Sequence, residues 1–301
     1  MLRKSAGLSI KYYAFLLLAR AVSHIPFEIL YVLSDALYYP VYFIIRYRRE
    51  IVRKNLTESF PDKSRREIMQ IEKRFYHFLV DTALESCKLI TISPEEIKRR
   101  MVFRNIEVIN ERLRQGRSIS LLLGHYGNPE WVAAVSAWLY KEAVPAQIYK
   151  KLSNEAADKI VKKLRERWGA TCIDMHHTAR YIAASATDYR PYIIGFIADQ
   201  PPRKKESTHF ILFLNHKVPV LMGPEKITKH FGYEAVFISV KRVKRGYYEC
   251  VLSPLHDNPR ALPDFELTTL YYRRLEQDII THPELYLWTH KRFKDARTCL
   301  S

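Results

Sequence analysis

From position 64 the chain repeats apolar residues every three or four positions: Ile68, Ile71, Phe75, Leu79 and Ala83. Ser64 stands ahead of them as a cap, so the spacing predicts a long helix over 64–89. Ser93-Pro94-Glu95-Glu96 supplies a cap, a proline at the first helical position and two first-turn acids, which predicts a second helix. A third is expected over 106–114, ended by Gly116. The period then changes. A continuous apolar run predicts a buried strand over 118–123. After it come a helix over 129–140, a strand over 144–149, a helix over 154–167, a short strand over 170–173, a helix over 178–187 and a strong buried strand over 192–198. Further strands are expected over 210–214, 235–241 and 247–252, with a hairpin turn at Gly246. A helix over 264–280 closes the pattern. Strands alternating with helices point to an α/β fold with a mixed, largely parallel central sheet flanked by helices.

The first sixty residues read differently. Basic Arg3 and Lys4 precede one apolar run over 12–22 and a second over 27–45, with Ser23-His24-Ile25-Pro26 between them. No small-residue cleavage site follows the first run, so no cleaved signal is expected. The second run carries Glu28, Ser34 and Asp35, which makes it a poor free-standing span, and four tyrosines suited to a membrane–water boundary. Arg46, Arg48, Arg49, Arg53 and Lys54 follow at once, the mark of a side facing cytoplasm and anionic headgroups. The expectation is a membrane-anchoring helical segment over 1–60, as a single anchor or an interfacial hairpin, and a catalytic domain over 61–301.

Composition narrows the partners. The 301 residues hold 49 Lys plus Arg against 32 Asp plus Glu, a net charge of +17, yet 48% are hydrophobic and 13% aromatic. That excludes a disordered basic tail. The charge calls for a polyanion: nucleic acid, an anionic membrane, an acidic carrier protein or a phosphorylated lipid. The aromatics follow apolar runs and do not interleave with Lys and Arg as in an RNA-binding motif, so nucleic acid is set aside. Cys87, Cys172, Cys250 and Cys299 lie far apart with no C-x-x-C pair and read as reduced thiols. His176-His177 lacks a third ligand at a known spacing, and no Gly-rich phosphate loop occurs, so neither a metal nor a nucleotide cofactor is expected.

The chemistry concentrates at Gly124-His125-Tyr126-Gly127-Asn128-Pro129-Glu130. The strand before it ends at Gly124, which puts His125 just past a carboxyl end, where open α/β sheets bind ligands. Gly127 permits a tight turn, Asn128 caps, Pro129 opens a helix and Glu130 falls in its first turn. A turn that folds Glu130 back onto the ring of His125 would fix its tautomer and leave the other nitrogen as a base, with the substrate's own hydroxyl as nucleophile. The plainer alternative is a satisfied histidine and a glutamate at a helix N-terminus.

This motif resembles the His-x4-Asp/Glu motif of lysophospholipid and glycerolphosphate acyltransferases. More closely, it resembles that of the bacterial lipid A biosynthesis acyltransferases, the late lauroyl/myristoyl transferases. Arg49 to Leu56 with Phe60-Pro61, Arg165 to Gly169, Asp199-Gln200 and Leu287-Trp288-Thr289-His290-Lys291-Arg292-Phe293-Lys294 are similar, in order, to further motifs of that family. The resemblance implies a glycerolphosphate acyltransferase-like fold and acyl transfer, without a cofactor, from an acyl carrier protein thioester or acyl-CoA. The acceptor would be a hydroxyl of a phosphorylated lipid A precursor. The setting would be the cytoplasmic face of a bacterial inner membrane, with its anionic leaflet as a partner. His125 would be the base and Glu130 its orienting carboxylate. Arg165 would hold the oxyanion, with Arg167 as second choice, helped by N–H groups near Gly127 and Asn128. Asp199 would order that arginine or the acceptor. Tyr126, Gly127, Asn128, Lys150, Arg167, Gln200 and Arg203 are the expected substrate contacts. The basic clusters at 98–100, 203–205, 241–245 and 290–294 are expected to gather around the cleft. A lysophospholipid or another glycolipid acceptor is the alternative within the same chemistry, and a metallohydrolase using His125, Glu130 and Asp199 the alternative outside it.

Overall fold

The computed structural model describes residues 13, 15–151, 154–184, 188–202, 209–294 and 297–298. Among them a seven-stranded sheet runs in the order β1-β9-β8-β2-β5-β3-β4. Its members are β1 (Met101–Arg104), β2 (Ile119–Leu123), β3 (Val144–Tyr149), β4 (Thr171–Asp174), β5 (Tyr192–Ile197), β8 (Glu234–Lys244) and β9 (Tyr247–His256). Every neighbouring pair is parallel except the β8–β9 hairpin, which turns at Gly246 with φ +72°. This is the mixed, largely parallel sheet that the alternating pattern predicts. All five residues of β2 are buried, as a central parallel strand covered on both faces requires.

Helices α1 (Phe15–His24), α2 (Phe27–Tyr39), α3 (Arg49–Ser59), α4 (Arg65–Lys88), α5 (Pro94–Arg100) and α6 (Ile106–Arg114) precede β2 or flank β1. Ser64 caps α4 in a reciprocal box with Glu67. α2 runs into a π-helical turn, Pro40–Ile44, and the 18 residues Phe27–Ile44 are long and apolar enough to cross a membrane by length and composition. One face of α2 lies on α4: Ser34 donates to Asp81 at 2.6 Å, and Tyr42 of the following turn donates to Glu72 at 2.9 Å. The opposite face leaves Ile29, Val32, Tyr39, Phe43 and Ile44 exposed.

Several elements depart from the pattern. The helix expected over 129–140 is a short α7 (Pro129–Val132) that tightens into a 3₁₀ stretch, Ala133–Trp138. It ends there because Asn110 donates to the Trp138 carbonyl and accepts from the Tyr140 N–H. The strand at Phe210 leaves the main sheet. β6 (Phe210–Phe213) pairs with β7 (His216–Pro219) through Leu214 and Asn215, both at positive φ, and β7 with β10 (Arg297–Thr298). A turn with a leucine in the left-handed region carries no usual hairpin signal. Helix α10 (Gly223–Phe231), with Pro224 in its first turn and Gly232 closing it, stands where no helix is expected. Helices α8 (Glu155–Glu166), α9 (Thr178–Ala184) and α11 (Glu266–Thr281) lie close to their expected bounds, and 185–187 fall outside the described residues.

Candidate active site

β2 and β5 are neighbours in parallel register, with Leu123 opposite Ile197. The ladder continues one step, as Ala198 N–H donates to the Leu123 carbonyl at 3.1 Å. Two positions beyond the last paired residues, His125 and Asp199 therefore emerge side by side. Asp199 Oδ1 lies 2.7 Å from His125 Nδ1 and accepts from the His125 backbone N–H at 3.1 Å. Its Oδ2 accepts from Tyr286 Oη at 3.1 Å. Asp199 is buried, while the His125 side chain keeps 23% of its surface. Burial alone would lower the His125 pKa, but the charge and hydrogen bond of Asp199 outweigh it and raise the pKa above 6.5. Burial would raise that of Asp199, and His125, with Arg292 behind it, pulls it below the ordinary carboxylate range.

Glu130 does not reach the ring. The first turn of α7 carries it toward α8, where Oε1 and Oε2 accept from Arg165 Nη2 at 2.5 Å and Nε at 2.8 Å. The expected Glu130–His125 contact is thus replaced by Asp199–His125, and Glu130 clamps Arg165 in the bidentate geometry that fixes a guanidinium. The reason lies in distance along the chain: a five-residue step across a cap and a helix start turns the carboxylate away, whereas strand register delivers Asp199 directly.

The turn between them is pinned from the C-terminal side. Gly127 N–H donates to the Leu285 carbonyl, Leu287 N–H to the His125 carbonyl, and Tyr126 hydroxyl to the Asp278 carbonyl. Gly127, at φ +70°, is required here. A Cβ would lie 2.5 Å from Val240 Cγ1. These bonds overturn two expectations: the Gly127 N–H is already committed and is not an oxyanion donor, and Tyr126 is a buried brace, not a substrate contact. Asn128 is likewise buried; its Oδ1 caps Trp131 N–H and its Nδ2 donates to Glu85. Arg167 donates to the Leu89 and Ile92 carbonyls and ties down the chain before α5. Gln200 lies against the other edge of the ring, with Nε2 3.1 Å from His125 Nε2. Lys150 is exposed just past β3. Arg203 lies outside the described residues.

The basic clusters also differ from expectation. Arg245 pairs with Asp35 and Asp81, and Arg242 with Asp81, beneath α2. Arg100 is buried with its guanidinium 3.5 Å from the Phe27 ring centroid, and buried Arg292 donates to the Tyr272 hydroxyl. These four arginines hold the fold together instead of lining a cleft. Residues 203–205 are again outside the described set. Trp288 and Phe293 are packed in the interior.

Next to Arg165, along β2, β3 and β5, lies an apolar pocket that opens in part to solvent. Leu123, Val132, Val135, Ala146 and Gly195 line it, and Arg165 stands among them. A histidine hydrogen-bonded to a buried carboxylate, an anchored guanidinium and an apolar pocket thus gather at the carboxyl ends of neighbouring strands.

The chain as a whole decides between the acyltransferase and other reactions. Residues 3–295 match the profile of the bacterial lipid A biosynthesis acyltransferases. The chain belongs to that family. It is an acyltransferase, as the motif order implies, and the match extends from the N-terminal apolar helices through the C-terminal segment that braces Asp199. No curated protein sequence matches it. Within this lipid A acyltransferase, the residues that sequence reasoning missed are Tyr286, which completes the Asp199 environment, and Glu85, which holds Asn128. The signal for Glu85 was present in α4, where Glu72, Asp81, Glu85 and Lys88 are buried among apolar and tyrosine side chains.

Proposed function

We propose that the protein transfers a fatty acyl chain from an acyl carrier protein thioester to a hydroxyl of a phosphorylated lipid A precursor, with His125 as general base and Asp199 as its orienting carboxylate. The single observation that carries the mechanism is the 2.7 Å contact between Asp199 Oδ1 and His125 Nδ1. With the proton on Nδ1 facing that carboxylate, Nε2, which accepts from Gln200 Nε2 at 3.1 Å, becomes the base when the acceptor hydroxyl takes the place of the Gln200 amide. The acceptor hydroxyl gives its proton to Nε2 as its oxygen attacks the thioester carbonyl carbon. The tetrahedral oxyanion is held by Arg165, kept in place by Glu130. The C–S bond then breaks, the imidazolium returns the proton to the departing thiolate, and an ester remains. The hydrocarbon of the donor lies in the cavity lined by Leu123, Val135 and Gly195.

The same reading seats the protein on the cytoplasmic leaflet of the inner membrane. The exposed apolar sides of α1 and α2 (Phe15, Leu17, Leu18, Ile29, Val32) would enter the lipid, and Arg46 and Arg48 would meet anionic headgroups. Because the other side of α2 is bonded to α4, the helix supports an in-plane seat better than a span.

Mass spectrometry of lipid A from cells carrying the intact gene or His125→Ala tests the assignment. The expected result is loss of one acyl group in the mutant. An unchanged lipid A profile together with acylation of a lysophospholipid by the purified protein would move the acceptor to that class.

A further inference from the structure

A carboxyl group with no exposed surface sits where the catalytic turn meets the N-terminal helix. Glu85, on α4, is fully buried. Its Oε1 lies 3.0 Å from the Tyr31 hydroxyl of α2, and its Oε2 accepts from the Tyr248 hydroxyl of β9 at 2.8 Å and from Asn128 Nδ2 at 2.9 Å. Its backbone carbonyl takes the Trp131 indole N–H at 2.9 Å. Each side-chain partner belongs to a different element, and two of the four groups held, Asn128 and Trp131, flank Pro129 and Glu130. α2 also reaches the turn directly: the Phe27 ring meets Trp131 edge-on, with centroids 6.1 Å apart. Among the described residues Glu85 has no ion-pair partner, and burial raises its pKa, which favours the neutral acid; its proton then lies on Oε1 and the Tyr31 hydroxyl oxygen accepts it. A polar group at this depth destabilises the fold unless all its partners are in place, so it ties their positions to one another.

We propose that Glu85 is a positioning residue for the reaction and that, through Tyr31–Glu85–Asn128, helix α2 is a working part of the active site as well as an attachment. Seated on α4, the helix holds Asn128, and Asn128 sets the spacing between His125 and the Glu130–Arg165 clamp. The inference rests on the reading of His125 as the base. It adds that turnover depends on α2 being seated even when no membrane has to be bound.

The test uses the full chain in detergent micelles with carrier-protein thioester and lipid A precursor, comparing Glu85→Asp, Glu85→Gln and Tyr31→Phe. Glu85→Asp keeps the acid but falls one methylene short of Asn128. Glu85→Gln keeps the oxygen for Asn128 and Tyr248 and offers an N–H that the Tyr31 hydroxyl accepts. The expected result is a kcat at least about tenfold lower in Glu85→Asp and Tyr31→Phe, with near-normal KM for both substrates, and near-normal kcat in Glu85→Gln. Amide hydrogen exchange over 125–132, which needs no substrate, should quicken in the same two variants and not in Glu85→Gln. Wild-type kcat and exchange in Glu85→Asp would overturn the inference, as would equal losses in Asp and Gln variants that track the fraction of protein folded. If exchange responds but the wild-type chain transfers no acyl group, the acyl-transfer reading falls and the tie between α2 and the turn stands.

Discussion

His125 and Asp199, 74 positions apart in the chain, meet at 2.7 Å because β2 and β5 are parallel neighbours in a register that pairs Leu123 with Ile197. Asp199→Asn keeps the shape but loses the charge that holds the Nδ1 proton. We expect kcat to fall by about 10²-fold or more. The wild-type rate should climb with pH across a limb above 6.5, since Asp199 raises the His125 pKa and only the neutral ring is a base. In Asp199→Asn the desolvation of the ring loses its main opposing charge, so the limb should move to lower pH. A pH–rate profile measures both, and an unmoved limb would show that Asp199 does not act on His125.

Glu130 and Arg165 form the second pair, and their losses should not add. Glu130→Ala frees Arg165 and Arg165→Ala removes the cation itself, so the double variant should be little slower than Arg165→Ala alone. Combining Glu130→Ala with Asp199→Asn should bring a further loss. Kinetics of the two cycles decide between a carboxylate that serves the arginine and one that serves the histidine.

Gly195 lines the apolar cavity, and a Cβ there would have its nearest neighbours at 3.8 Å. Gly195→Leu therefore fits the strand and fills the cavity. With a mixture of donor chain lengths, the variant should shift transfer to shorter chains and keep its turnover with them. An unchanged chain-length profile would remove the cavity from the acyl site.

His216 is buried, stacked on Phe293 with centroids 4.1 Å apart, and among the described residues both its ring nitrogens are unpartnered. Burial, with Arg292 and Lys54 nearby, lowers its pKa from 6.5 to about 4. The unfolded chain therefore takes up the proton first, and this residue costs stability as pH falls from 6.5 toward 4. His216→Phe removes that cost and keeps the ring stack. Thermal unfolding of the variant should lose less between pH 7 and pH 5 than that of the wild type.

How much of this could be read from the chain depends on how local each signal is. The Asn128 cap, Pro129 at the first helical position and the α6 bounds are local, and the structure agrees with them closely. So does the placement of His125 and Asp199 past two strand ends. Which of Glu130 and Asp199 meets the ring is a question of strand order, and a five-residue spacing points to the wrong one. The β6–β7 turn was hidden because Leu214 takes a conformation usually left to Gly or Asn. The arginines at 242 and 245 look like a solvated basic stretch until Asp81 and Asp35, more than 160 positions earlier, come to face them.

That last separation has a consequence in time. Asp81 is buried at the α2–α4 contact, and its counter-charges come from Arg242 and Arg245, 161 and 164 positions later. At a synthesis rate of roughly 5–20 residues per second, the nascent chain spends about 8–30 s with both apolar N-terminal helices and α4 made and no arginine to neutralise that aspartate. For that interval the α2–α4 contact lacks the two guanidiniums that neutralise Asp81 in the folded chain.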